Sequence, residues 1–141
     1  VLDRGYAAVI VTNQRGVGLG RVSPQVLEQI HAKLFDQIRE AGLELTDLLV
    51  CTAVSDDDPR RKPNPGMLLE AAVRHGLDLS RSWMIGDSSK DIEAGRRAGC
   101  AVTVKVGCEP DAAGADRCVA NMGELVALLA RELTPVKLST D

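Results

Sequence analysis

Two carboxylates follow a short apolar stretch in the middle of the chain. Trp83 to Gly86 predicts a buried strand, Asp87 comes directly after it, and Asp91 follows four positions later. The strand would deliver Asp87 to the carboxyl edge of a sheet, with Asp91 beside it in the first turn of a helix that opens near Ser88. Carboxylates placed in this way can hold Mg²⁺. The alternative is purely structural, because a Ser cap with an acidic first turn also stabilises a helix.

A second apolar stretch ends in groups that can bind a phosphate. Residues 7–14, AAVIVTNQ, predict a buried strand with Thr12 and Asn13 at its carboxyl end, and a glycine-rich turn follows over 15–20. Backbone N–H groups and the Thr12 hydroxyl at such a strand end can donate to a phosphate. The structural alternative is an ordinary strand end.

Three basic residues precede the next predicted helix. Arg60, Arg61 and Lys62 stand just before Asn64, a predicted N-cap, and Pro65, the predicted first helical residue. Positive charge near a helix N-terminus favours anion binding, although a solvated basic loop would have the same composition. The hydroxyl of Thr12, the basic residues before the helix and the two carboxylates all stand at predicted ends of strands or helices. Together they favour a site that binds or transfers a phosphate.

These segments resemble the second, third and fourth motifs of the haloacid dehalogenase-like (HAD) phosphotransferases. The strings VTNQ, RKPNPGM and MIGDSSKDIEAGRRAGC look most like the phosphatases that act on heptose 1,7-bisphosphate, with histidinol-phosphate phosphatases as close relatives. The resemblance implies a Mg²⁺-dependent phosphomonoesterase that works through an aspartyl-phosphate. Its implied substrate is a small phosphorylated molecule, most similar to a sugar bisphosphate.

The resemblance also implies a set of phosphate- and substrate-binding residues. Thr12 and Asn13 resemble the phosphate-binding second motif, and Arg61 resembles the arginine that contacts substrate in the heptose branch. We add Ser88, directly after the first motif-four acid, to the phosphate-binding candidates.

Catalytic and metal-binding roles follow from the same resemblance. Lys62 resembles the lysine that neutralises the charge of the nucleophile and the phosphoryl group. Asp87 resembles the Mg²⁺ ligand, and Asp91 resembles the second acid of the fourth motif, which we assign as a supporting ligand.

The family's attacking carboxylate lies in a DxDG[TV] motif, and the sequence contains no such string. The nearest candidate is Asp3, but Gly5 stands in the place of the second carboxylate, too close to Thr12 for a crossover of about a dozen residues. We therefore interpret residues 1–5 as the last turn of a helix stopped by Gly5. We expect the first strand and its nucleophile to lie outside this sequence, which leaves this chain inactive by itself. The alternative is a degenerate module that binds phosphate or Mg²⁺ without turnover.

Alternating apolar patterns predict a doubly wound, Rossmann-like α/β domain with a parallel sheet over residues 1–136, and a disordered tail over 137–141. Helices are expected over 24–41, 67–75, 92–98 and 123–133, and further strands over 48–52, 101–106 and 118–119. The stretch between Thr12 and Lys62 is too short for an inserted cap domain, so we expect an open site.

Composition narrows the class of protein. With 45% hydrophobic residues, 26% charged residues and a net charge of −3, the chain predicts an ordinary soluble domain with one core. The low aromatic content of 2% and the scattered basic residues argue against nucleic-acid binding. No stretch approaches the roughly 18 to 20 apolar residues of a membrane span. We expect a monomer or weak dimer whose partner is a small phosphorylated substrate.

The four cysteines lie far apart, without a CxxC pair, so we expect reduced thiols in a cytoplasmic protein. Some relatives implied by the resemblance carry a zinc loop with a CxH pair and a CxC pair. Here Ala53 follows Cys51 at the place of the histidine, and no zinc is expected.

Overall fold

The computed structural model describes residues 1–107 and 114–135, apart from the side chain of Asp3. The described strands are β1 (Val9–Asn13), β2 (Asp47–Cys51), β3 (Trp83–Gly86), β4 (Val102–Val106) and β5 (Arg117–Val119). The α-helices in this part of the chain are α1 (Arg15–Gly18), α2 (Pro24–Glu40), α3 (Gly66–His75), α4 (Ser89–Ala98) and α5 (Met122–Glu132). Short 3-10 turns span Leu2–Arg4 and Leu79–Arg81. The predicted tail over 137–141 lies outside the described residues.

All described strand pairs are parallel, as predicted, but they form two sheets. β1 pairs with β2, with Thr12 opposite Val50, and the second sheet has the order β3-β4-β5, with Ile85 opposite Val104. Helices lie between β1 and β2, between β2 and β3, and between β3 and β4, which is the arrangement that parallel pairing requires. The doubly wound α/β class is therefore confirmed.

A cavity of about 1050 Å³ separates β1 from β3. We call it the inter-sheet slot, and it runs from Tyr6 at its amino end to Thr12 and Asp87 at its carboxyl end. The sequence predicts a buried strand at β1, whereas all five of its residues are half-buried. The difference arises because one edge of β1 borders the slot.

Helix α3 joins the two halves of the core. Met67 belongs to an apolar cluster with Leu49 of β2, and the adjacent Leu68 belongs to a second cluster with Met84 of β3. Val11 of β1 packs against both clusters. A third cluster covers the far side of β4 with α5, and its buried members are Val104, Val119, Leu125 and Leu128.

The predicted helix after Ser23 is confirmed, but its apolar face is largely open. The Ser23 side chain accepts a hydrogen bond from the N–H of Val26, and Pro24 is the first helical residue. Leu27 is buried, whereas Val26 and Ile30 are exposed. The apolar pattern therefore predicted the helical conformation of α2 but not which of its apolar side chains are buried.

The amino-terminal residues form the end of a helical turn, as predicted. The 3-10 turn Leu2–Arg4 ends at Gly5, whose φ of 82° lies in the left-handed region that glycine adopts without strain.

The cysteines differ in part from expectation. Cys51 and Cys100 are free thiols, whereas Cys118 is disulfide-bonded, so the expectation of reduced thiols is wrong for Cys118. The spacing of cysteines along the chain could not show which of them meet in space. Within the described residues, no helix has the length and apolar character needed to cross a membrane.

Candidate active site

The carboxyl ends of β1 and β3 bring four of the predicted site residues to one end of the inter-sheet slot. Thr12 lies near the end of β1, Asp87 directly follows β3, Asp91 lies in the first turn of α4, and Lys62 comes from the loop before α3. All four line the slot. Polar groups from separate parallel strands converge at this edge, where α/β folds place their ligands.

Lys62 and Asp91 form a buried ion pair at the centre of this group. Lys62 Nζ lies 2.6 Å from Asp91 Oδ1 and 2.9 Å from the carbonyl oxygen of Val11. The two side chains are 11% and 8% exposed. Burial opposes ionisation of Asp91, but the hydrogen bond and charge of Lys62, with further bonds from Ser88, hold its pKa below the usual range. Asp91 is therefore a carboxylate at neutral pH.

Ser88 and Asp91 also form a reciprocal capping box at the start of α4. The Ser88 N–H and hydroxyl donate to Asp91 Oδ2 at 3.1 and 2.9 Å, and the Asp91 N–H lies 3.3 Å from Ser88 Oγ. Each Asp91 oxygen thus has a donor from the protein. The structural reading of this serine and acid is confirmed, and their predicted phosphate and metal roles stay predictions.

Asp87 has a different environment from Asp91. Its side chain is exposed, and no hydrogen bond or ion pair to it occurs among residues 1–107 and 114–135. The close approach of Asp91 to the end of β3 depends on Gly86, because a Cβ at this position would lie 2.3 Å from the Asp91 Cβ. A glycine at the end of β3 therefore lets α4 bring its carboxylate against the strand.

Asn13 fixes the backbone of Lys62. Its side-chain nitrogen donates to the Lys62 carbonyl at 3.0 Å, and its side-chain oxygen accepts from the Lys62 N–H at 3.1 Å. The Asn13 side chain therefore positions the lysine, and the predicted binding of phosphate by Asn13 stays a prediction.

Thr12 retains a hydrogen-bond donor for a ligand. Gln14 Nε2 donates to the Thr12 hydroxyl oxygen at 3.0 Å, so the hydroxyl proton can be directed to another acceptor. Sequence reasoning did not anticipate this contact, although a polar side chain two residues along a strand lies on the same face.

The three basic residues before α3 do not act together. Arg60 pairs with Glu70 at 2.8 Å, and the buried guanidinium of Arg61 binds Asp56 Oδ1 at 2.8 Å and the Ala53 carbonyl at 3.2 Å. Lys62 alone of the three lines the slot. Arg61 therefore stabilises the loop before α3, and its predicted contact with substrate stays a prediction.

The predicted cap of α3 is wrong. Pro65 occupies the cap position without a side-chain hydrogen bond, while Asn64 Nδ2 donates to the carbonyls of Asp56 and Asp58 at 3.0 and 2.9 Å. Asn64 therefore stabilises the loop before α3, because its side chain lies within hydrogen-bonding distance of those two carbonyls. A Cβ at Gly66 would lie 2.2 Å from the Pro59 carbonyl, so this turn also requires glycine.

The oxygen ligands available at this end of the slot are one exposed carboxylate and one buried carboxylate, a small set for Mg²⁺. No group of three or more His, Cys, Asp or Glu side chains converges within the described part of the chain. Mg²⁺ nevertheless binds through one or two carboxylates together with water and substrate phosphate. The exposed Asp87 meets that requirement, and Asp91 lines the same slot.

The parallel fold and this carboxylate-lysine site are those of a domain of the HAD-like class. A family model described as HAD-hydrolase-like matches residues 59–120. The chain belongs to the HAD-like family, which confirms the resemblance seen in the sequence.

Curated relatives narrow the comparison within that family. The chain is 40% identical over 105 residues to a D-glycero-β-D-manno-heptose-1,7-bisphosphate 7-phosphatase of Pseudomonas aeruginosa, covering 73% of this chain and 59% of the relative. It is 38% identical over 105 residues to the protein of the same name from Mesorhizobium japonicum, covering 69% of this chain and 48% of the relative. The chain thus spans about half of the length of these relatives.

Solved structures agree with the sequence relatives. A HAD-like phosphatase from Mesorhizobium loti superposes with a TM-score of 0.79 at 36% identity, covering 92% of this chain and 66% of that one. The D,D-heptose 1,7-bisphosphate phosphatase of B. bronchiseptica, complexed with magnesium and phosphate, superposes with a TM-score of 0.82 at 26% identity. That match covers 94% of this chain and 78% of the other.

Proposed function

We propose that the protein to which this chain contributes is a Mg²⁺-dependent phosphomonoesterase acting on a sugar bisphosphate, of the heptose 1,7-bisphosphate type, through an aspartyl-phosphate. The observation that carries the proposal is the buried Lys62–Asp91 pair beside the exposed Asp87 and the Thr12 hydroxyl at one end of the slot. The names of the similar relatives supply the substrate class.

Phosphate binding is assigned to the end of β1. The Thr12 hydroxyl and the Asn13 N–H donate to phosphate oxygens, and the Lys62 ammonium balances their negative charge. Lys62 can act as a fixed charge because three contacts hold it: Asp91 at its ammonium, the Val11 carbonyl beside it, and Asn13 at its backbone.

Asp87 would hold the metal, with Asp91 next to it. When bound, Mg²⁺ supplies positive charge that offsets the charge developing on the phosphoryl oxygens. Asp91 already balances the ammonium of Lys62, so its main contribution is to hold that ammonium in place.

The attacking carboxylate has no counterpart in these 141 residues, which contain no DxDG[TV] string. That observation favours a second candidate, a module that binds phosphate and Mg²⁺ without turnover. The two candidates share the same phosphate site and differ in catalysis.

Phosphate release from D-glycero-D-manno-heptose 1,7-bisphosphate separates them. We expect no Mg²⁺-dependent release by this chain alone, because both covalent and acid catalysis are missing, the latter worth about 10²- to 10⁴-fold. The full coding frame should release one phosphate in a Mg²⁺-dependent manner. A frame that binds inorganic phosphate with Mg²⁺ in calorimetry yet releases nothing would identify the binding module instead.

A further inference from the structure

The hydroxyl of Thr12 has a single proton, and the direction of that proton depends on the neighbours of its oxygen. A threonine hydroxyl rotates freely and has two lone pairs, so its proton turns to whichever acceptor is nearest. Thr12 lines the inter-sheet slot at the end where Lys62 and Asp87 also lie. A phosphate bound at this end gains a hydrogen bond from Thr12 only when the hydroxyl proton points into the slot.

Gln14 makes the contact that sets this direction. Its side-chain nitrogen Nε2 lies 3.0 Å from Thr12 Oγ1 and donates a hydrogen bond to it. An amide nitrogen donates and does not accept, so the hydroxyl proton finds no acceptor on the side of Gln14. The proton is therefore available to an acceptor in the slot.

The backbone of Gln14 is fixed at both of its hydrogen-bonding groups. Its N–H donates to the carbonyl of Cys51 at the end of β2 at 2.8 Å, and its carbonyl accepts from the N–H of Val17 in α1 at 3.1 Å. The residue is also half-buried. A side chain on an anchored backbone has less conformational freedom to lose when it makes its own bond.

Gln14 lies outside the slot that Thr12 lines. The residues of β1 that line the slot are Val9 to Thr12, and Gln14 is not among the lining residues. It reaches Thr12 because side chains two residues apart on an extended chain lie on the same face. In the described part of the chain, the bond to Thr12 is the one hydrogen bond of the Gln14 side chain. Gln14 thus reaches the site through Thr12.

We propose that Gln14 is a positioning residue for phosphate binding, which turns the Thr12 hydroxyl proton toward a phosphate oxygen in the slot. The inference rests on the proposed function, because it takes phosphate as the ligand at the end of β1. A hydroxyl that already points to the ligand loses less freedom on binding than one that rotates, and its bond to a charged phosphate is stronger than a bond between neutral groups.

Two substitutions separate the donor from the shape of the side chain. Gln14→Met keeps the unbranched stem and removes the donor. Gln14→Glu keeps the shape but has a carboxylate, which accepts the Thr12 proton and turns it away from the slot. We expect Gln14→Met to weaken binding of inorganic phosphate in the presence of Mg²⁺ by about three- to tenfold, and Gln14→Glu to weaken it further.

Calorimetric titration of inorganic phosphate into the full coding frame, with Mg²⁺ present, measures these affinities. Gln29→Met is the matched control, because Gln29 is exposed on α2. It should bind phosphate as tightly as the unsubstituted protein does. Thermal scans first show that each variant is folded, and Gln14→Leu replaces Gln14→Met if the latter is not.

A double variant tests whether Gln14 acts through Thr12. Thr12→Val keeps the branched shape and removes the hydroxyl. In this background Gln14→Met should change phosphate affinity less than about twofold, because the group that Gln14 positions is gone. The added effect of Gln14→Glu should shrink to that of its charge. Losses that add in full would show that Gln14 acts independently of Thr12, and they would overturn the proposal.

Phosphate release from D-glycero-D-manno-heptose 1,7-bisphosphate gives a second measurement on the same variants. Gln14→Met should raise KM in the direction that Thr12→Val raises it, but to a smaller extent, because the same bond to phosphate is weakened. A merely structural role would lower the fraction of active protein, which reduces the apparent kcat and leaves KM unchanged. That second pattern would contradict a positioning role.

The measurements separate failure of this inference from failure of the proposed function. If the unsubstituted frame does not bind inorganic phosphate, the proposed function is wrong and the role of Gln14 with it. If the frame binds phosphate and Gln14→Met binds it equally well, only the positioning role is wrong. A Gln14→Glu variant that binds phosphate as well as Gln14→Met does would also overturn that role, because the direction of the proton would then not matter.

Discussion

Two ion-pair groups lie at opposite ends of the β1–β2 sheet and differ in how water reaches them. At the carboxyl end, Lys62 and Asp91 form a buried pair. At the amino end, Asp47 at the start of β2 binds His75 Nε2 at 2.6 Å and the Arg74 guanidinium at 3.0 Å, with the Arg74 side chain 51% exposed. We call these the site pair and the amino-end cluster.

Both aspartates have a pKa below the usual range, but for different reasons. Burial of Asp91 raises its pKa, and the hydrogen bond and charge of Lys62 outweigh that effect. For Asp47 the hydrogen bond from His75 is the largest cause, with smaller contributions from the Leu48 N–H and Arg74. The pKa of Asp91 is thus lowered mainly by Lys62, whereas the pKa of Asp47 is lowered by several neighbouring groups. A depressed pKa is therefore found both at an aspartate of the candidate site and at one outside it, and does not by itself identify a site residue.

The largest expected effect is on folding stability when the site pair is broken. Asp91→Asn leaves the Lys62 ammonium buried without a counter-charge and should lower the free energy of unfolding by about 3–5 kcal/mol. Urea denaturation of this chain measures the change. In Lys62→Met/Asp91→Asn most of the loss should be recovered, and equal destabilisation of the single and double variants would contradict the charge argument.

The second prediction concerns catalysis in the full coding frame. Lys62→Met keeps the apolar stem and removes the charge, so the turnover rate should fall on the order of 10²- to 10³-fold. Lys90→Met is the matched control, because Lys90 is 48% exposed and lies 3.9 Å from Asp56 outside the slot lining. Steady-state phosphate release measures both. Near-normal turnover in Lys62→Met would remove Lys62 from the site.

The third prediction separates the two acids of the site. Asp87→Asn should weaken Mg²⁺ binding more than Asp91→Asn, because Asp87 is exposed while both Asp91 oxygens accept bonds from the protein. Calorimetric titration of Mg²⁺ in the presence of inorganic phosphate decides, after thermal scans show that each variant is folded. Equal affinities would refute the assignment of Asp87 as the principal ligand.

The smallest effect is expected at the amino-end cluster. Asp47→Asn should cost no more than about 1 kcal/mol of folding free energy, because its partners are partly solvated. Adding 1 M salt, which shortens the screening length to about 3 Å, should reduce that cost further. A cost as large as that of Asp91→Asn would contradict the comparison between the two regions.

Part of the dependence of stability on pH follows from the depressed pKa values of Asp47 and Asp91. A carboxylate with a lower pKa in the folded state stabilises the fold fully above its unfolded pKa of about 3.9 and loses that contribution as the pH falls through the folded value. Stability should therefore decline below about pH 4. The decline should be shallower in Asp91→Asn and in Asp47→Asn than in the unsubstituted chain, since each substitution removes a carboxylate whose pKa is depressed.

Local sequence determined the elements and the site residues that lie at their ends. The strands β1 and β3, the Ser23 cap of α2, the glycine stops and the Ser88–Asp91 box all depend on neighbouring residues, so patterns of a few positions predicted them. The same patterns predicted Thr12, Asp87 and Asp91 at one edge of a parallel sheet, because parallel strands share a carboxyl end.

Tertiary structure alone decided how those residues are used. The Asn13 side chain hydrogen-bonds to the backbone of a residue 49 positions away, and Lys62 pairs with an aspartate 29 positions away. Contacts between residues so far apart in sequence cannot be predicted from a local pattern. The sequence also does not show that Arg60 and Arg61 pair outside the slot while Lys62 lines it, or that a slot separates the two sheets. Both features depend on which elements pack together. Local propensity specifies where strands and helices end, and long-range packing then decides which charges are buried together and which edges are left open.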